Sequence, residues 1–141
     1  MSVKTFKLEI VTPAKLLFSG DVVSFTAPGT AGGFQVLYNH APLLAEIGIG
    51  EVKLTDTEGN VRRFATSGGF VDVKKNHVVM LAETAERSDE IDRERALAAK
   101  ERAIRLLAEK GGDLDEASAR SALARAINRL RVVQRAEHQP A

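Results

Sequence analysis

Three kinds of side chain in this sequence could do chemistry: histidines, glycine-flanked hydroxyls and arginines. His40, His77 and His138 lie far apart. General base work needs a partner within hydrogen-bond reach, and no Ser-His-Asp arrangement or metal-ligand spacing supplies one. His40 opens the run Ala41-Pro42-Leu43-Leu44, which reads as a loop stiffened by Pro42. Gly29-Thr30-Ala31-Gly32-Gly33 is glycine-rich but lacks the lysine and following hydroxyl of a phosphate-binding P-loop, so it reads as a tight turn. Ser67-Gly68-Gly69 lacks the Gly-x-Ser-x-Gly of a nucleophile elbow and reads as a turn or bulge. With 0 cysteines, disulfides and thiolate metal sites are excluded. These residues point to no enzyme and no metal centre.

The arginines are the sharper feature. Arg95 and Arg102, seven apart, share one helix edge, and Arg125 and Arg129, four apart, share another. A closed helical hairpin would bring the two pairs together. Guanidinium groups hold phosphate oxygens through paired hydrogen bonds and stack on aromatic rings. Asp92 and Glu86 could accept from a ligand's donor group or hold an arginine in place. The competing reading is a solvated helix face laced with i,i+4 pairs, and the charge pattern alone leaves both open.

The elements that must carry these residues follow two patterns. Nine of the 11 glycines fall within residues 1–83. Phe6, Leu8 and Ile10 alternate with Lys7 and Glu9, as in a half-buried strand. Ser19-Gly20-Asp21 reads as a turn before a strand at Val22–Thr26, and Phe34–Leu37 as extended chain. Asp56–Asn60 and Lys74–His77 read as hairpin connections. Many short strands at this spacing predict a sandwich or flattened barrel. Glu83–Ser88 reads as a short polar linker.

Residues 84–110 contain no glycine or proline. Asp89, Glu90 and Asp92 suit a helix start, and Gly111-Gly112 suit its end. Asp113, with Glu116 three residues on, suits the start of a second helix. Its stripe is Ala119, Ala122, Leu123, Ala126, Ile127, Leu130 and Val133; the first helix has a broader arc of Ala96, Ala99, Ala103, Leu106 and Leu107, widened by Leu97 and Ile104. The expected fold is α+β: residues 1–86 an all-β sandwich or flattened barrel, residues 87–141 an antiparallel two-helix hairpin. Such a hairpin has too little core to be stable alone and must dock somewhere.

Composition narrows the rest. The balance of 20 basic against 19 acidic residues, net +1, gives no bulk reason to bind nucleic acid. No apolar run reaches the length of a membrane span, and Met1–Phe6 lacks a signal-peptide core. The expectation is a cytoplasmic chain with no direct membrane insertion.

The order of β domain and alanine-rich hairpin resembles the ε subunit of bacterial and chloroplast F-type ATP synthases. Asn39–Leu44, Ser67–Val71, Val79–Ala85 and Arg125–Val132 carry the resemblance, which spans essentially the whole chain. It implies a non-catalytic central-stalk subunit, an accessory part of a proton-translocating complex, on the cytoplasmic face of the bacterial plasma membrane. Its implied partners are the γ subunit, the c-ring and, for an extended hairpin, the α and β catalytic subunits, where it would inhibit ATP hydrolysis. His40, Ala41, Pro42 and Leu43 would face γ. Thr30, Gly33 and Phe34 would face the c-ring. Where many members have an acidic residue near that loop's tip, this chain has Gly33 and Phe34, which leaves a backbone or apolar contact. No cofactor is required, but ATP is implied as a regulatory ligand of the folded hairpin. Ile91-Asp92-x-x-Arg95-Ala96 matches the family's nucleotide signature, with Glu86, Arg102, Arg125 and Arg129 completing the set. The alternatives are a free-standing ATP-binding regulatory module without a rotary partner, and an enzyme on a β scaffold, for which no acid, base or nucleophile set converges.

Overall fold

The computed structural model describes residues 4–109 and 113–138, without the side chains of residues 113–115. Seven strands come first: β1 (Phe6–Val11), β2 (Leu16–Ala27), β3 (Phe34–Val36), β4 (Leu43–Ile47), β5 (Gly50–Asp56), β6 (Val61–Lys74) and β7 (His77–Arg87). A 3-10 turn (Ser88–Glu90) leads to α1 (Arg93–Ala108) and α2 (Asp113–His138). The α+β expectation holds.

Period-two alternation builds the core. Phe6, Leu8 and Ile10 of β1 are buried, and they meet Phe25, Leu54, Phe64, Val71, Val78 and Met80. Each such side chain contributes roughly 1.5–3 kcal/mol on burial. The pairing β1-β7-β6-β5-β2 closes on itself because β1 also pairs antiparallel with β2. Among the described residues, only β1 and β7 run parallel. β3 attaches to β2, and β4 to β6.

Local chemistry sets the turns. Asp56 Oδ1 accepts from the backbone N–H groups of Glu58 and Asn60, both at 2.9 Å, while Gly59 takes φ of 85°. Those two amides, that of Asn60 foremost, hold the Asp56 carboxyl below its ordinary range. Lys75 and Asn76 both have positive φ, which is the backbone of a two-residue hairpin turn. Ser67-Gly68-Gly69 is a bulge in β6, where the register against β7 shifts twice.

Two expectations about the strands change. Ser19-Gly20-Asp21 is not a turn: these residues pair with Glu9, Leu8 and Lys7 inside one twelve-residue strand. The chain reverses earlier, where the Thr12 N–H donates to the Lys15 carbonyl at 2.9 Å. Glu83–Arg87 is not a linker either. It continues β7, with Glu86 opposite Ala65 and Arg87 opposite Phe64.

The helices form an antiparallel hairpin, since Arg93 at the start of α1 pairs with Glu137 near the end of α2 at 2.6 Å. Asp92 caps α1, its Oδ1 accepting from the Arg95 N–H at 3.1 Å. The Gly111-Gly112 turn lies outside the described residues, as does the capping side chain of Asp113. Ala96 and Ala103 on α1, and Ala119, Ala126 and Val133 on α2, are buried at seven-residue spacing. The expected arc of α1 narrows, because Leu97, Ile104 and Leu106 are exposed. The buried arc of α2 widens to include Asn128 and Val132. The reason is that α1 packs chiefly on α2, whereas α2 lies between α1 and the β5–β6 face. Among the described residues, no helix is long and apolar enough to cross a membrane.

Candidate functional site

The end of β7, the 3-10 turn and both helices meet around one cleft of about 310 Å³. Glu86, Ile91, Asp92, Arg95, Ala96, Arg102 and Arg129 line it. The closed hairpin therefore brings together seven of the eight residues read as nucleotide-binding. Arg125, one helical turn from Arg129, lines the adjoining groove with Glu86 and Arg129.

The two carboxylates are already engaged. Glu86 Oε1 accepts from Arg129 Nε at 2.5 Å, and Asp92 caps α1. Among the described residues, Arg95, Arg102 and Arg125 form no ion pair. The cleft thus offers unengaged guanidinium donors beside the apolar walls of Ile91, Ala96 and Ala99. Donors of that geometry suit phosphate oxygens. Arg87 steadies the 3-10 turn by pairing with Asp89 and Glu90. Its hydrogen bond to Asp89, at 2.8 Å, raises the Arg87 guanidinium above its ordinary value. A second cleft of about 540 Å³ lies beyond Ile91. Its arginines are spoken for: Arg93 pairs with Glu137 and Arg63 with Glu51, each at 2.6 Å.

The hairpin rests on β5 through polar contacts that the sequence pattern did not single out. Asn128 Nδ2 donates to the Gly50 carbonyl at 2.8 Å, and Asn128 is only 7% exposed. Glu51 lies between two arginines: Oε1 accepts from Arg63, and Oε2 from Arg135 at 2.6 Å. An asparagine buried beside an apolar stripe was the one available signal. The Glu51 pairing spans 84 residues and left none.

The two loop sites lie elsewhere on the β domain. His40 is half-buried, Ala41 and Pro42 are exposed, and Leu43 starts β4 against the core. His40 Nδ1 lies 2.6 Å from the Ala41 carbonyl, so it orders its own loop. Thr30 and Gly33 are exposed, but the Phe34 ring packs on the core and against Gly29. An apolar row crosses the outer surface: Leu16, Val11, Leu81 and Phe70 are successive cross-strand neighbours on β2, β1, β7 and β6. Leu16, Leu81 and Phe70 are 50–57% exposed, and nearby Leu44 is 73% exposed. Apolar residues on both faces of β6 and β7 (Phe70-Val71, Met80-Leu81) were the sequence signal for it. Among the described residues, no group of three His, Asp or Glu side chains could hold a metal ion.

Residues 5–88 match the family model for the ATP synthase delta/epsilon chain β-sandwich domain, and residues 89–134 match that for its long α-helix domain. The ATP synthase epsilon chain of Desulforamulus reducens is 44% identical over 131 residues, covering 93% of this chain and 98% of that one. The epsilon chain of Syntrophomonas wolfei is 42% identical over 135 residues, covering 96% and 98%. Among solved structures, a chain of the Euglena gracilis mitochondrial ATP synthase matches with a TM-score of 0.78 at 20% identity, over 86% of this chain and 76% of that one. A chain from the Tetrahymena thermophila mitochondrial ATP synthase central stalk and c-ring matches with a TM-score of 0.59 at 17% identity, over 90% and 95%. The two structural matches establish likeness of fold.

Proposed function

The chain belongs to the ATP synthase delta/epsilon chain family, and we propose that it is a non-catalytic central-stalk subunit whose hairpin restrains ATP hydrolysis and senses ATP. One observation carries the regulatory part. The hairpin meets the β domain through buried Val132 and Val133 and through polar contacts of Asn128, Arg129 and Arg135, beside a cleft whose Arg95 and Arg102 form no ion pair among the described residues. A ligand rich in phosphate would bridge Arg95, Arg102 and Arg125 and hold the hairpin closed. It would compete with Glu86 for Arg129, exchanging an internal carboxylate for its own oxygens.

The sheet body serves attachment. The row Leu16, Val11, Leu81 and Phe70, with Leu44 beside the His40–Leu43 loop, is an apolar strip suited to a protein partner. We assign the γ stalk to that strip. The exposed Thr30–Gly33 loop faces the c-ring, through backbone because the Phe34 ring is turned to the core. The subunit then works at the cytoplasmic face of the bacterial membrane, held there by its partners.

Calorimetric titration of the full chain with ATP tests the cleft. Binding should weaken about tenfold in Arg102→Ala, the loss of one hydrogen bond to a charged group. Absence of heat at saturating ATP would remove the sensor. Hydrolysis by an assembly of catalytic and γ subunits should fall when the full chain is added, and an unchanged rate would remove the restraint.

A further inference from the structure

We infer that Asn128 and Arg135, seven residues apart on one face of α2, form an anchor on Gly50-Glu51 that fixes the docked hairpin independently of any ligand in the arginine cleft. This rests on the reading above that the hairpin can leave the β domain. The polar tethers seen between α2 and the sheet are of two kinds. Glu86–Arg129 lines the cleft and is the one that an anionic ligand would exchange. The second tether lies on β5: Asn128 and Arg135 stand outside the cleft itself, and Asn128 lines the adjoining groove with Arg125 and Arg129.

The anchor has the features of a register device. The Asn128 amide is more than nine-tenths buried, and its Nδ2 meets a backbone carbonyl, a partner that no substitution can remove. A helix slipped by one residue would bury that amide without an acceptor, which is costly. Arg135 adds direction. Glu51 is 11% exposed and already held by Arg63, so its second oxygen is aimed at the place where Arg135 arrives. The anchor also touches the loop beyond it. Gly50 packs so closely on Pro28 that a Cβ there would lie 2.5 Å from the proline Cβ, and the Gly48 N–H donates to the Pro28 carbonyl. Docking of the hairpin is thereby registered at the base of the Gly29–Gly33 loop.

Amide hydrogen exchange on the full-length chain, without nucleotide or partner, tests this, because it reads small released populations. In Asn128→Ala the α2 amides should exchange about tenfold faster while the β6 and β7 core amides keep their rates. In Arg135→Gln the α2 acceleration should be about threefold, as for a half-exposed ion pair. Arg131→Ala, at an exposed arginine of the same helix with no ion pair among the described residues, should stay within about twofold of the parent. Unchanged α2 exchange in both anchor variants, or equal acceleration in Arg131→Ala, overturns the anchor. Since no ATP is present, that failure is separate from failure of the ATP titration.

Discussion

Replacing Gly69 by alanine should cripple the β domain, and the structure indicates by how much. Gly69 sits in the β6 bulge at φ of 142°, a conformation costing a side-chain-bearing residue about 1–3 kcal/mol. A Cβ there would lie 2.0 Å from the Leu81 carbonyl oxygen and 2.9 Å from Ala82 Cα, both backbone atoms of β7. Ordinary carbon–oxygen contact is about 3.3 Å, so β7 would have to withdraw by more than about 1 Å, straining ladder bonds worth about 1 kcal/mol each. The sum is about 4 kcal/mol, a large part of the roughly 5–15 kcal/mol that holds a domain together. Neighbouring glycines calibrate the claim. At Gly68, φ is 139° but a Cβ would stand 3.3 Å from the Ile47 oxygen, a tight contact that a shift of a few tenths of an ångström relieves, so alanine costs chiefly the dihedral strain, about 1–3 kcal/mol. At Gly33 the nearest atom is 3.7 Å away, and alanine should change stability by less than about 0.5 kcal/mol. Urea unfolding followed by the fluorescence of Tyr38, the 1 tyrosine in a chain with 0 tryptophans, reads the β domain directly. A Gly69→Ala protein within about 1 kcal/mol of its parent, or one more stable than Gly68→Ala, would refute the reasoning.

Two further outcomes follow. The folded state favours ionised Asp56, so its stabilisation is complete above about pH 4 and fades as acid carries it through its lowered folded value; Asp56→Asn should be less stable than its parent at neutral pH, the gap closing in acid, and a gap independent of pH would contradict the turn's role. Removing the α1 cap by Asp92→Ala should destabilise the hairpin by about 1 kcal/mol, seen as faster amide exchange in the first turn of α1 and not in β6.

The local features of this fold were legible in the residues. Alternation in β1, the Asp56–Asn60 and Lys74–His77 connections and the alanine spacing of the helices are short-range codes. They hold because burial and turn chemistry act within a few residues. Gly20 misled because glycine usually marks a reversal, whereas here it lies in a strand under the Phe18 ring. Arg102 and Glu86 were legible as candidates only as a pattern; the hairpin's closure is what brings them to one cleft. The burial of Asn128, the sharing of Glu51 and the exposure of Leu97 depend on which helix lies outside, and no periodicity within one helix encodes that.

The closed circuit β1-β7-β6-β5-β2 has a mechanical consequence. A sheet with free margins can be peeled, one bond breaking after another from the edge inward. A loop of strands has no margin at which peeling begins. The arm is rooted in β7, which β1 grips on one side and β6 on the other. From Arg87 back to Ala82 the root of the arm is held by the β6 ladder alone, and from Leu81 to His77 β1 grips the other side as well, so a tug meets one ladder first and two beyond it. A closed body of this kind resists twist as a stiff collar rather than yielding as a hinge.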